Sequence, residues 1–138
     1  YMAKRGRGHI VCTSSQAGLT PVEIPGVAAY SAAKFGVTAL AESLRSELAS
    51  RGVGVSVLYP GYVPTNLAEN TERLGGDIRR YSDVQMPVEV TPPQLGEMVA
   101  EAIEQNAPFI VTHKDGVWPG VEKRMLAIKA ACDYRRDR

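Results

Sequence analysis

Gly8-His9-Ile10-Val11-Cys12-Thr13-Ser14-Ser15 is a short apolar run that closes on two hydroxyl residues. It reads as a buried strand over 10–13 with a polar carboxyl end. A second run, carrying Val53, Val55, Val57 and Leu58, breaks sharply at Pro60-Gly61. It is apolar enough to be covered on both faces, as strands of parallel sheets are. Between the two, Val37, Leu40, Ala41, Leu44 and Leu48 recur at helical spacing, which predicts a helix from about 28 to 50 ended by Gly52. A strand, a helix and a strand in this order imply a right-handed crossover within a parallel sheet.

The alternation continues outward. Residues 66–90 are polar and irregular. Thr91-Pro92-Pro93-Gln94 then supplies an N-cap, prolines at the helix start and a reciprocal Gln. Leu95, Met98, Val99, Ala102 and Ile103 share one face of the helix that follows. Phe109–Thr112 reads as a third strand, and a last helix over about 119–131 places Val121, Met125 and Ile128 on one side. With no repeat, low-complexity stretch or linker, residues 1–138 form one α/β unit.

Composition narrows the possible roles. The chain is 44% hydrophobic and 22% charged with net charge +1, ordinary values for one soluble domain. Mixed, nearly balanced charges argue against nucleic-acid and membrane partners. Arg135, Arg136 and Arg138 are interleaved by Asp133 and Asp137, so they read as a solvated terminus. No apolar run approaches the roughly 20 residues that span a bilayer, and no signal peptide is expected from these residues. Cys12 and Cys132 are far apart and fit reduced thiols in a cytoplasmic protein. His9 and His113 have no neighbouring cluster of Cys, His and Asp, so no metal site is expected and both read as surface or strand-edge residues.

Tyr30 and Lys34 carry the chemistry. Four residues apart at the start of a helix, they lie on one face, a turn from each other. An ammonium beside a phenol favours the phenolate form. A hydroxyl at a neighbouring strand end then steadies the oxygen that gains or loses the proton, which suits an alcohol or carbonyl. The plainer alternative is an amphipathic Tyr and a snorkelling Lys on a solvent face. Ser31-Ala32-Ala33-Lys34 also fits the SxxK pattern of serine acyl-enzymes, but the companion Ser-x-Asn or Tyr-x-Asn and Lys-Thr-Gly are missing from the sequence.

Taken together, the segment ending in Ser14-Ser15, then Tyr30-Ser31-Ala32-Ala33-Lys34, then Pro60-Gly61-Tyr62-Val63-Pro64-Thr65 resembles the short-chain dehydrogenase/reductase family. The resemblance implies a Rossmann-type doubly wound parallel sheet. In such folds a glycine-rich phosphate loop occupies the first strand–helix turn. Here Gly6-Arg7-Gly8 precedes a strand and Gly75-Gly76 lies in a polar loop. The chain is therefore expected to be the second half of that sheet, with the first βαβ dinucleotide-phosphate half absent. The strand at 10–14 would then expose a sheet edge, and the piece alone would be unstable and inactive.

The resemblance also implies an NAD- or NADP-dependent oxidoreductase interconverting a small-molecule alcohol and a carbonyl. Tyr30 would be the general acid/base, and Lys34 would assist it and bind the nicotinamide ribose. Ser15 would orient the substrate oxygen, with Ser14 as the alternative because adjacent strand residues face opposite ways. The gap from Ser15 to Tyr30 is slightly longer than is common in the family, and the extra residues fall in the Pro21–Pro25 loop. Pro60, Gly61, Val63 and Thr65 would line the nicotinamide end, and residues 66–90 would close over substrate. A catalytic asparagine would lie before residue 1. The Tyr30 helix would pair with its twin in a homo-oligomer, where Ala32, Ala33, Gly36 and Ala39 allow close approach. Two other readings are an extended-type epimerase or dehydratase on a nucleotide sugar, and a non-catalytic fragment acting in assembly. Neither the substrate nor the choice between NAD and NADP is written in these residues.

Overall fold

Strand β2, Val53–Tyr59, is the element around which the fold is built. Its consecutive residues face opposite sides of the sheet, and helices cover both sides. Val55, Val57 and Tyr59 pack with Ala41 on one side, while Leu58 packs with Ala102 and Ile110 on the other. Strand β1, Gly8–Thr13, pairs with it in parallel from Gly8↔Val53 to Thr13↔Leu58. Strand β3, Phe109–Val111, pairs in parallel on the other edge from Val57↔Phe109 to Tyr59↔Val111. The order β1-β2-β3 makes an α/β parallel sheet, the fold class that the alternation of strands and helices predicts. This computed structural model describes residues 1–75 and 90–134.

A four-residue helix, α1 at Met2–Arg5, precedes β1. Helix α2, Ala28–Ala49, makes the first crossover. Ala41 is its buried anchor, with Leu44 and Leu48 half-buried beside it. Leu40 departs from the predicted stripe: it lies about 100° round the helix from Ala41 and is 57% exposed. Helix α3, Leu67–Arg73, occupies part of the stretch read as irregular. The remainder of the expected substrate segment, 76–89, lies outside the described residues, as do Gly76 and the Arg135–Arg138 tail.

Helix α4, Pro92–Glu104, begins as its sequence predicts, with the Gln94 Oε1 accepting from the Thr91 N–H at 2.9 Å. Helix α5 runs from Lys114 to Asp133, five residues earlier than predicted. Pro119 falls in its second turn, where it forgoes a single backbone bond. Only Val117 is buried along α5. Met125 and Ile128, which the sequence places on one side with Val121, are exposed.

At the amino end of the sheet the polar groups are tied down. Ser56 is fully buried on the α4 side of β2, donating to Ala107 O at 2.5 Å and meeting His9 Nε2 at 2.7 Å. Arg45 reaches from α2 to Val55 O at 2.5 Å and to Asn106 O at 2.7 Å. Burial, then the Arg45 charge, holds His9 below its ordinary 6.5. A histidine lowered in the folded state contributes stability above the unfolded value and loses it as the pH falls through the folded one. The thermal unfolding midpoint is therefore expected to fall as the pH drops from 7 towards 5, with a flatter slope in His9→Gln; an unchanged slope in that variant would assign the acid sensitivity elsewhere.

Candidate active site

The carboxyl ends of β1 and β2 meet the first turns of α2. The Ser14 N–H continues the ladder to Leu58 O at 2.8 Å. Its side chain turns inward: Ser14 is 2% exposed and its Oγ donates to Lys34 O at 2.8 Å. Thr38 Oγ1 lies 3.3 Å from Ser14 Oγ and 3.2 Å from Gly18 O. Strand end, turn and helix thus converge on one point. Gly18 makes that possible, since a Cβ there would fall 2.2 Å from Ser14 Oγ and 2.8 Å from Lys34 O.

Ser15 points away from this knot. Its backbone is extended and its Oγ accepts from the Ala17 N–H at 3.2 Å, capping a single 3₁₀ turn at Gln16–Gly18. Adjacent serines at a strand end face opposite ways, so Ser14 is committed to packing while Ser15 lies at the rim of the sheet.

Lys34 spans the gap between helix and strand. Its Nζ donates to Thr13 O at 3.3 Å and stands 5.7 Å from the centroid of the Tyr30 ring. One of its three N–H groups is used in this way, leaving two for a ligand. Tyr30 is 42% exposed, so its side chain is partly open to solvent. Ion and ring lie on the same face of α2, as their spacing predicts.

The turn after β2 is fixed from two sides. Pro60 O accepts from the Gln16 N–H at 3.3 Å, and the Gly61 N–H donates to Thr112 Oγ1 at 3.0 Å. Val63 is half-buried, and Thr65, exposed, accepts from the Leu67 N–H at 3.3 Å just ahead of α3. The structure therefore gathers Ser14, Ser15, Lys34, Tyr30, Pro60 and Gly61 at one end of the sheet. Among the described residues, no hydrogen bond joins Val63 or Thr65 to Tyr30 or Lys34.

Four residues at this end escaped the sequence reading: Gln16, Thr38, Thr112 and His113. Thr38 is one further turn along from Lys34, a signal that was available. Thr112 and His113 end β3 where reactive residues of parallel sheets collect, but the burial of His113 depends on how a three-residue strand is paired. His113 is 6% exposed, not a surface residue, because β3 delivers it behind Gly61.

Tyr59 is a second phenol close by, and its setting differs. It is fully buried with no partner at hydrogen-bond distance. Burial pushes it above the ordinary phenol range, outweighing the opposite pull of the nearby Thr38 hydroxyl. A groove of about 830 Å³ beside it, lined by Phe35, Thr38, Phe109, Trp118 and Arg124, separates α2 from α5. A second cleft of about 550 Å³ lies at the opposite end of the sheet against His9, Arg45 and Asn106. Tyr30 and Lys34 line neither. Among the described residues, no cluster of His, Cys, Asp and Glu is placed to hold a metal.

The sequence profile of the short chain dehydrogenase family matches residues 1–74. A dehydrogenase/reductase SDR family protein 7-like of Drosophila melanogaster is 37% identical over 110 residues, covering 80% of this chain and 33% of that protein. A short chain dehydrogenase/reductase of Burkholderia phymatum, solved with NAD, superposes with a TM-score of 0.79 at 27% identity, over 94% of this chain and 51% of that one. An actinorhodin polyketide ketoreductase solved with NADPH superposes with a TM-score of 0.60 at 29% identity, over 81% of this chain and 49% of that one. The chain spans about a third to a half of these relatives.

The two serines are expected to separate on substitution. Ser14→Ala removes a buried donor to the Lys34 carbonyl and should cost about 1–2 kcal/mol in urea unfolding, while Ser15→Ala, which uncaps only a single 3₁₀ turn, should cost about 0.5 kcal/mol, the low end for a cap. Equal losses would show that Ser15 is as structural as its neighbour.

Proposed function

The chain belongs to the short-chain dehydrogenase/reductase family, and on that premise we propose that it carries the proton-transfer centre of an NAD(P)-dependent oxidoreductase interconverting an alcohol and a carbonyl. One observation carries the reading above the family match. Lys34 is held by a strand-end carbonyl, with its ammonium beside a half-exposed Tyr30 and two N–H groups free.

In this reading Tyr30 donates its phenol proton to the carbonyl oxygen during reduction and takes it back during alcohol oxidation. Lys34 stabilises the phenolate left behind, through charge at close range. Its remaining N–H groups hold the hydroxyls of the nicotinamide ribose. Ser15, at the rim of the sheet, donates to the substrate oxygen and fixes its direction towards Tyr30. Pro60, Gly61, Val63 and Thr65 line the nicotinamide end. NAD and NADPH are the cofactors in the two solved relatives, so the chain is assigned NAD or NADP without a choice between them. The bound nicotinamide supplies or accepts the hydride.

Two further parts of the reading concern surfaces. Residues 66–90 cover the substrate, a role supported by α3, which starts at the strongly exposed Leu67 and is followed by the equally open Leu74. The outer face of α2 pairs with a second copy of the chain. Ala32, Ala33, Gly36 and Ala39 are all exposed there, and Leu40 stands out beside them. Among the described residues no helix is long and apolar enough to cross a membrane.

The test uses the protein as it occurs naturally, following reduced nicotinamide by absorbance with a panel of ketones, aldehydes and alcohols. Tyr30→Phe is expected to lower kcat/KM by about 10²- to 10⁴-fold while cofactor still binds. Turnover that survives the substitution would remove Tyr30 from the chemistry.

A further inference from the structure

Gly61 is backed by two residues that the proposed chemistry does not use. Thr112 Oγ1 accepts the Gly61 N–H at 3.0 Å and lies 2.5 Å from His113 Nδ1. His113 is buried, and its Nε2 has no hydrogen-bond partner. Leaving a buried ring nitrogen unpaired is costly, so its retention calls for a compensating role on the other side of the ring. That side packs directly on the turn. A Cβ on Gly61 would fall 2.5 Å from His113 Nδ1 and 2.7 Å from Gln16 Nε2. The turn is therefore clasped between the 3₁₀ turn that follows Ser15 and the end of β3.

We propose that Thr112 and His113 are positioning residues that set the shape of the Pro60–Gly61 turn. One lone pair of the Thr112 hydroxyl takes the Gly61 N–H. The hydroxyl proton goes to His113 Nδ1, which leaves the imidazole proton on Nε2. Two hydrogen bonds in series polarise each other, so the threonine is fixed by the histidine and Gly61 by the threonine. The glycine lets the ring sit against the backbone, and the ring in turn defines the direction in which the chain leaves towards Val63 and Thr65. Its consequence for cofactor binding rests on the oxidoreductase reading; the clasp itself does not.

Two measurements on the natural protein test this. Hydrogen exchange of the peptide containing Gly61 should speed up by about tenfold in Thr112→Val and His113→Leu. In His113→Asn, whose amide replaces Nδ1, and in Thr112→Ser it should stay near wild type. Cofactor affinity, read by quenching of protein fluorescence with reduced nicotinamide dinucleotide, should weaken by about five- to tenfold in the first pair and recover in the second. Exchange that is unchanged in Thr112→Val, an isosteric change that keeps the fold, overturns the clasp. So does a loss in His113→Asn as large as in His113→Leu. Wild-type protein that binds neither dinucleotide would count against the oxidoreductase reading, while the exchange data would still decide the clasp.

Discussion

The approach of α2 to the end of β1 is the constraint on which the rest of this molecule depends. A helix side chain reaches a strand-end carbonyl only if the helix lies almost in contact with the strand. The Ser14 hydroxyl bonded to the Lys34 carbonyl sets that separation, and Thr38 repeats the tie one turn on. Gly18 is the complement: any side chain there would occupy the space in which these groups meet. Lys34 can then bond to Thr13 O without stretching, and Tyr30, a turn earlier, is carried to the same rim. The Tyr30–Lys34 pair is placed by residues to which the proposed chemistry assigns no role.

β2 supplies the rigid reference for this arrangement. With both faces covered and Ser56 satisfied internally, it has little freedom to shift. Its two neighbours are held in register on either side, so the ends of all three strands are fixed relative to one another. The turn after β2 inherits that order. It is clasped by Gln16 from the β1 side and by Thr112 from the β3 side, and each bond runs to a different neighbouring element. Open α/β sheets bind ligands beyond their carboxyl ends because this is where several independently anchored chain ends converge.

Much of this was legible in the sequence, for physical reasons that particular residues make plain. The strands announced themselves through unbroken apolar runs, the helix at 92–104 through its cap, and the Tyr30–Lys34 pair through helical spacing. What failed was the inference from apolarity to burial. Leu40, Met125 and Ile128 sit at helical spacing and are nonetheless exposed, because periodicity gives a face but not what covers it. The start of α5 was missed because Pro119 looked like a first-turn residue, whereas a proline in the second turn costs only one backbone bond. His113 was read as a surface or strand-edge residue because no local pattern reports that a neighbouring strand brings a glycine against it. Contacts between residues 61 and 113 are set by the pairing of β2 with β3, which a linear pattern does not contain.

Chemically similar residues take different roles here according to which side of a strand end they fall on. Ser14 and Ser15 are neighbours, yet one is sealed against α2 and the other caps an open turn. Tyr30 and Tyr59 carry the same phenol. Tyr59 is enclosed among apolar side chains where desolvation opposes ionisation, so it remains a neutral packing group. Tyr30 is half-exposed, with the Lys34 ammonium 5.7 Å from its ring centroid. Residue type alone does not separate these pairs, because the pleat sends consecutive side chains into different surroundings. A site at the end of a parallel sheet can therefore draw its structural and its reactive hydroxyls from the same few residues of chain, and a change that shifts the register of β1 by one residue would exchange their roles.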